Sequence, residues 1–441
     1  MFNYYLKLAL ISMRKSPILV FLMVFALAIG VAASMTTITV NYLSSKNPLP
    51  HKENNLFAVQ LDNWSIEKSW REPDITPFHL TYIDANNLLS LGEKFKHSPI
   101  AQMDMPLEST SIDGEKKTFM AQAKSVSHDF FALFDVPFLY GQAWSKEDDK
   151  NSANLVVISE KTNNKFFSGA NSVGKTLIYG GEVFTIIGVT KKRTFLPKLY
   201  ATNVFMFAEP EDLYFPFSTQ ISLGWFNEGK SIYYCQKDKA SDTYESLLQS
   251  ECMWILFWAE FKDKAEKEQY QQFIDNYVSD QKALGRFPRP LDNRLTSIKT
   301  WFKYQNVTNK DTQILMWLAI LFLCVCLFNT VGLMLAKFTG KSSEVALRRA
   351  LGASKQSIFY QYLIESLCIG LCGGVLGMLL TFISLEYFKH IYTKLNDQVM
   401  TLNIELLLSG LLLSILATLI AGIYPTIKVS RTSACMQLRQ K

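Results

Sequence analysis

Residues 341–365 read KSSEVALRRALGASKQSIFYQYLIE and lie between two charge-free apolar runs, 312–336 and 366–385. About 20 residues at 1.5 Å rise cross ~30 Å of hydrocarbon, so each run has bilayer length. The segment between them therefore reads as an elbow at the membrane surface. Ser342 or Ser343 suits an N-cap, and Glu344 falls in the first turn, where the positive helix end favours an acid. Leu347 and Leu351 share one face at i,i+4 spacing, as do Ala346 and Ala350. Gly352 suits a helix stop, because glycine tolerates the left-handed conformation there, and Ala353 follows it. Ser354 can cap a second helix carrying Ile358, Tyr362 and Leu363 towards the next span. A helix–glycine–helix elbow that exposes Arg348 and Arg349 is shaped to contact another protein.

Two further charge-free stretches, 16–45 and 406–427, also reach bilayer length. One such run could be a buried core helix; four make a membrane protein. The predicted fold is four transmembrane α-helices, with a large α+β extracytoplasmic domain inserted between the first and second spans. The plan in order is an N-terminal arm (1–15), the first span (16–45), the outer domain (46–311) and the second span (312–336). The elbow (337–365), third span (366–385), short loop (386–405), fourth span (406–427) and tail (428–441) complete it.

Orientation follows from Lys and Arg in the short flanks. The arm, the elbow and the tail together hold twelve cations against Glu344 and Glu365, whereas loop 386–405 holds Lys389 and Lys394 against Glu386, Asp397 and Glu405. This bias places both termini and the elbow in the cytoplasm and residues 46–311 outside. It also absorbs the overall net charge of +6, since the rest of the chain is then −4. The basic balance reports topology rather than nucleic-acid binding, and no basic groove with interleaved aromatics suggests otherwise. The start also fits a signal peptide, with Val31-Ala32-Ala33 as cleavage site, but the charge-free run is long for a signal core and favours an uncleaved anchor.

The first span carries Ala26, Gly30 and Ser34 at four-residue intervals, and the third carries Gly370, Gly373, Gly374 and Gly377. Small residues on one face let helix backbones approach closely in lipid. They serve either subunit pairing and a sliding seam, or packing inside one subunit; the sequence leaves both open. The interior of every span lacks an ionisable side chain, which argues against a proton-driven carrier or an ion channel.

The outer region reads as α+β. Residues 56–61 (LFAVQL), 118–126, 154–159 (NLVVIS) and 253–261 (MWILFWAEF) suggest strands, and 77–91, 160–167 and 264–284 suggest helices. Residues 176–179 and 183–189 flank Gly180-Gly181 as a hairpin. The pattern divides the region into a membrane-proximal part (about 46–130 and 246–311) and a β-rich insert (about 131–245).

Residues 169–176, GANSVGKT, match the phosphate-cradling pattern G-x-x-x-x-G-K-[ST]. That loop works only between a strand and a following helix, whose N-terminus faces the phosphates. Here a helical segment precedes it and a strand follows, so the match is a chance one. Cys324, Cys326, Cys368 and Cys372 lie in spans as small apolar residues, and Cys435 is in the tail. Cys235 and Cys252 share the outer compartment; a disulfide between them is possible if it is oxidising, and sequence gives no geometry to decide it. The five histidines are scattered without metal-ligand spacing, so no metal site or catalytic group is assigned. The tryptophans of the outer region suit core packing more than a ligand groove.

The architecture and the elbow together resemble the MacB/FtsX-type permeases of ABC transporters. Residues 344–353 (EVALRRALGA) followed by 361–365 (QYLIE) are similar to the family's E-x-(G/A)-x-x-(R/K)-A-x-G-A … Q-x-L-x-E signature. Outside, VSHDFFALFDVPFLYGQAW, NLVVISEK, SVGKT and FTIIGV look like the MacB-type periplasmic domain. The ending Ile423-Tyr424-Pro425 … Leu438-Arg439 resembles the family's closing Y-P … A-L-R, departing at Ala434 and Gln437. The resemblance implies a permease of the bacterial inner membrane, not itself an enzyme, dimerised with a second copy or a paralogue. It implies no cofactor in this chain, with ATP and Mg bound by a separate ABC ATPase. Glu344, Leu347, Arg348, Arg349, Ala350, Leu351, Gly352 and Ala353 would then form the coupling helix seated in that ATPase. Three functions fit: export of peptides or drugs through a periplasmic adaptor and an outer-membrane duct, release of lipoproteins, or mechanical control of a cell-wall hydrolase. A sensor or membrane-anchored enzyme is a further reading, with no clustered active site to support it.

Overall fold

The computed structural model describes residues 2–67, 69–70, 75–110, 116–192, 197–202, 206, 208–226, 234–235, 243–307, 310–391 and 404–431. The chain forms two units, Met1–Ser45 with Thr308–Lys441, and Lys46–Val307. It opens with helices α1 (Phe2–Arg14) and α2 (Pro17–Ser45). The outer unit begins with β1 (Leu56–Gln60), β2 (Leu80–Thr81), α3 (Tyr82–Leu91), β3 (Lys96–Thr110) and β4 (Lys116–Val126). It continues through α4 (Phe130–Leu133), β5 (Phe138–Gly141), α5 (Lys146–Lys150), β6 (Leu155–Ser159), α6 (Glu160–Phe167), β7 (Thr176–Tyr179) and β8 (Glu182–Thr190). After β9 (Leu213–Pro216), α7 (Phe217–Ser222) and α8 (Tyr244–Leu248), it ends with β10 (Met253–Glu260), α9 (Lys264–Ala283), β11 (Arg294–Ser297) and α10 (Ile298–Tyr304). The chain then returns as α11 (Lys310–Thr339), α12 (Ser342–Ala350), α13 (Lys355–Ile391) and α14 (Ile404–Ser430).

Strands β1 and β10 are buried along nearly their whole length because both faces of the sheet are covered. The alternation of strand side chains sorts them. Leu56, Ala58, Leu256 and Trp258 enter one core with Phe130, Trp144 and Trp301. Phe57, Val59, Ile255, Phe257 and Ala259 enter the other, against Tyr270, Ile274, Tyr277 and Val278 of α9. Each large apolar side chain so buried contributes about 1.5–3 kcal/mol. Helix starts follow the short polar side chains: Thr81, Ser159, Asp263 and Ser297 each accept a bond from the backbone N–H three residues on. The expected helix over 77–91 therefore begins later, at Tyr82, after Thr81 has closed the two-residue strand β2.

The sheet runs β11-β1-β10-β3-β4-β9-β6-β8-β5, with β2 on β10 and β7 on β3 and β8. The expected division of the outer domain into two parts does not appear as two sheets. The long β3–β4 hairpin, paired from Ile100–Val126 to Thr110–Lys116, belongs to both. One end of β3 pairs with β10 and the other with β7. Strand β9 then inserts between β4 and β6, a neighbour from far along the chain.

Arg286 closes this unit on itself. Its guanidinium pairs with Asp84 of α3 at 2.8 Å and Glu251 at 2.7 Å, while the Tyr277 hydroxyl donates to Asp84 at 2.7 Å. Asp84 is 1% exposed, so the pairing replaces the water that its carboxylate has lost.

In the membrane unit, α2, α11, α13 and α14 are each long and apolar enough to span a bilayer. Helices α11, α13 and α14 exceed the predicted spans at both ends, whereas α2 stays within 16–45. Helix α13 is one continuous rod of 37 residues, about 55 Å long. The helix expected to start at Ser354 is thus the first part of the third span. The N-terminal arm forms helix α1, with Ala9 and Ser12 buried and Tyr4, Leu10 and Ile11 exposed. Part of loop 386–405 and of tail 428–441, including Lys394, Asp397, Cys435, Arg439 and Lys441, lies outside the described residues.

Candidate functional site

Helix α12 ends in a double hydrogen bond. The N–H of Gly352 donates to the Arg349 carbonyl at 3.1 Å, and the N–H of Ala353 donates to the Arg348 carbonyl at 3.0 Å. Gly352 sits at φ +101°, and this left-handed residue with its crossed pair of bonds is the Schellman stop. No side chain crowds the space a Cβ would fill at Gly352, so backbone conformation alone asks for glycine. Ser354 Oγ then accepts from the Ser357 N–H at 3.1 Å and starts α13.

The start of α12 differs from expectation. Lys341 occupies the N-cap position, and neither Ser342 nor Ser343 caps with its side chain. Arg348 differs too. Its guanidinium pairs with Glu344 at 2.6 Å and donates to Gln361 Oε1 of α13 at 3.0 Å. Glu344 and Arg348 are one turn apart on the same helix face, so the pair forms locally before any partner arrives. Arg348 thus shapes the elbow, and Arg349 is half-buried. The elbow presents an apolar pair outward, Leu347 at 57% and Leu351, just past the helix end, at 80% exposed, beside the exposed Ser343 and the partly exposed Glu344–Arg348 pair. Val345 and Ala346, on the opposite side, are buried, and Ala350 is exposed.

Behind the elbow lies a group of residues that the sequence placed only among the flanking charges and, for Glu365, in the QYLIE segment. Lys337 of α11 and Glu365 of α13 form an ion pair whose side chains are both 0% exposed. Ser12 Oγ of α1 donates to the same carboxylate at 2.8 Å, and Lys341 Nζ donates to Ser12 Oγ at 2.6 Å. The spans are therefore not free of charge; the exceptions sit at the ends of the apolar runs, where the sequence places them on the border. The visible signal is Gln361 and Glu365, two polar residues one turn apart on a helix entering the membrane.

The glycines singled out in the spans all meet helices of the same chain. A Cβ on Gly373 or Gly377 would meet Leu27 or Val31 of α2, and one on Gly370 or Gly374 would meet Thr418 or Ser414 of α14. Gly30 faces Cys326 and Leu323 of α11. Their contacts are packing inside one subunit, with Ser414 Oγ donating to the Gly370 carbonyl at 2.8 Å.

In the outer unit Cys235 and Cys252 are joined by a disulfide across 17 residues. The GANSVGKT segment runs from α6 into β7, the reverse of a phosphate-cradling order, and Lys175 Nζ lies 4.9 Å from the Phe167 ring centre. Tryptophans 64, 144, 254, 258 and 301 are all core residues. A cleft of about 740 Å³ is bordered by α3, α5 and α7 and includes His97 and His128. His128 bonds Asp149 through Nδ1 at 2.8 Å and lies 3.5 Å from Asp129, so it clamps the end of β4 to α5. The Asp149 bond raises its pKa. Burial instead pushes His97 down to about 3. Among the described residues no three His, Cys, Asp or Glu side chains gather as a metal site.

Residues 20–276 match the MacB-like periplasmic core domain, and residues 316–434 match the FtsX-like permease C-terminal family. The macrolide export ATP-binding/permease protein MacB of Acinetobacter baylyi is 24% identical over 382 residues, covering 85% of this chain and 50% of that protein. Its namesake from Campylobacter jejuni is 26% identical over 69% of this chain and 42% of its own. The crystal structure of the periplasmic region of MacB from Actinobacillus actinomycetemcomitans aligns with TM-score 0.36 and 15% identity, over 59% of this chain and 96% of that one. The chain spans about half the length of the curated relatives it matches. With four apolar helices and a periplasmic-type α+β domain between the first two, it belongs to the MacB-like, FtsX-like family of ABC transporter permeases of the inner membrane.

Proposed function

We propose that this chain is the permease of an export system driven by ATP hydrolysis on a separate ABC ATPase chain, which binds ATP and Mg. The observation that carries the reading is the outward apolar pair Leu347 and Leu351 on an elbow whose back is fixed by Arg348 to α13. An exposed apolar pair on a short, rigidly stopped helix suits a groove in a soluble partner. The Lys and Arg bias supports a cytoplasmic elbow and cytoplasmic termini. Closure of the ATPase pair would bring two elbows together, one from this chain and one from a second copy or a paralogue. The long helices would carry that movement to the periplasmic domain. Export of peptides or drugs from the periplasm, through an adaptor and an outer-membrane duct, is the cargo reading favoured by the names of the relatives.

The test is ATP hydrolysis by the ATPase reconstituted with this chain in liposomes. Stimulation is expected with the native chain and is lost with Leu347→Asp/Leu351→Asp, which still inserts. Equal stimulation by both would contradict the seat. Hydrolysis by the purified chain alone would contradict the division of labour.

A further inference from the structure

The cytoplasmic-side portion of α13, before its glycines begin, carries Ser357, Gln361 and Glu365 at successive i,i+4 positions, one above another on a single face. Together they are bonded to three other pieces of chain. Ser357 Oγ accepts from the Tyr5 hydroxyl of α1 at 3.0 Å. Gln361 accepts from Arg348 of the elbow. Glu365 accepts from Ser12 of α1 and pairs with Lys337 of α11, and Lys341 reaches the same Ser12 hydroxyl. Three elements, α1, α11 and the α12 elbow, are thus tied to three residues of one helix.

We propose that this stripe is a latch that makes α1 part of the moving elbow, with Glu365 as the residue that positions it. Tyr5 and Ser12 stand two turns apart on α1 and meet residues 357 and 365, two turns apart on α13, so α1 lies along α13 at two points rather than one. Two attachment points fix direction as well as position. A carboxylate with no exposure has no water to fall back on, so it releases Ser12 only if another donor takes its place. Apart from Tyr5 and Ser12, helix α1 meets the unit through few side chains, the buried Ala9 and the half-buried Met13 among them. The stripe therefore sets where α1 goes when α13 moves, and a push on α12 reaches α1 through Arg348 and the stripe on α13 and, directly, through Lys341 on Ser12. In this inference the latch itself stands on the geometry, and its role during ATP hydrolysis rests on the function proposed above.

The experiment measures the distance between spin labels placed at positions 7 of α1 and 356 of α13 by unnatural amino acids, in the full chain in liposomes. The native chain should give one narrow distance. Lys337→Met/Glu365→Leu removes both charges together, so it keeps the fold without an orphaned ion, and the distance should broaden. Should that variant accumulate poorly, Ser357→Ala/Gln361→Leu, which leaves the ion pair intact, should broaden it to a smaller degree. A distance that stays narrow in either folded variant overturns the latch. With the ATPase added, the double charge variant should still bind it and lose stimulation of hydrolysis. Native stimulation from a chain with a broadened distance overturns the part played by α1 in transmission. Absence of stimulation by the native chain contradicts the proposed function instead, and leaves the distance result standing as evidence for or against the latch.

Discussion

The outer domain and the membrane unit each bury an ionic group that joins remote parts of the chain, and they do so against different surroundings. In the outer domain Arg286 holds Asp84 and Glu251, and Glu251 remains 35% exposed. Water can therefore reach one side of that network. In the membrane unit Lys337 and Glu365 are both 0% exposed and are shared with Ser12. The first is a clasp with an outlet; the second has none. The contrast teaches that a buried pair near water can be rearranged piecemeal, whereas one enclosed by helices is kept or lost as a unit.

The largest expected effect breaks the contrast at its closed end. Glu365→Leu alone leaves Lys337 buried without its partner and should cost about 3–5 kcal/mol, while Lys337→Met/Glu365→Leu should recover most of it. Arg286→Met should cost less than Glu365→Leu, because Glu251 can turn to water and the buried Asp84 keeps the Tyr277 and Thr81 hydroxyls as donors. Denaturant midpoints of the three variants in detergent, compared with the native chain, check the order. Equal losses for Arg286→Met and Glu365→Leu would erase the distinction.

A smaller effect sharpens the same point, since a water-facing domain can also respond to pH. His128 has its pKa raised by Asp149, so its stabilisation is complete below the ordinary value of 6.5 and is lost as pH rises through the raised value. His97 works in the opposite sense. Its pKa is pushed down to about 3 by burial, so below 6.5 the unfolded chain takes up a proton that the folded one refuses, and stability falls as pH drops towards 3. In urea titrations followed by tryptophan fluorescence, His97→Leu should flatten the loss between pH 6.5 and 3, and His128→Asn should remove the loss that the native chain shows as pH rises above 6.5 through the raised value. Profiles that stay parallel to the native one would contradict both assignments.

The sequence made the four spans legible because each is a charge-free run of bilayer length. It also made Gly352 legible, since a helix that must stop in the left-handed region selects glycine. The Gly180-Gly181 turn was readable for the same reason, with φ +59° and +89° in the hairpin between β7 and β8. Helix α1 was not, because its mixture of Lys7, Arg14 and apolar residues reads equally as a topogenic arm. Single-sheet continuity escaped because β9 pairs with strands far from it in the chain. Arg348 looked free because its exposure was judged without Gln361, 13 residues away. The Lys337–Glu365 pair was hidden by lying at the edges of two apolar runs, where charge normally faces headgroups and water. Only the convergence of α1, α11 and α13 turns those edges into an interior.

The account depends most on an ATPase meeting the elbow from the cytoplasm. A photo-crosslinking amino acid at position 351, illuminated in intact cells, should yield an adduct that mass spectrometry identifies as an ATP-binding ABC subunit. An adduct with a periplasmic protein, or labelling of position 351 by a reagent that cannot cross the inner membrane, would contradict it.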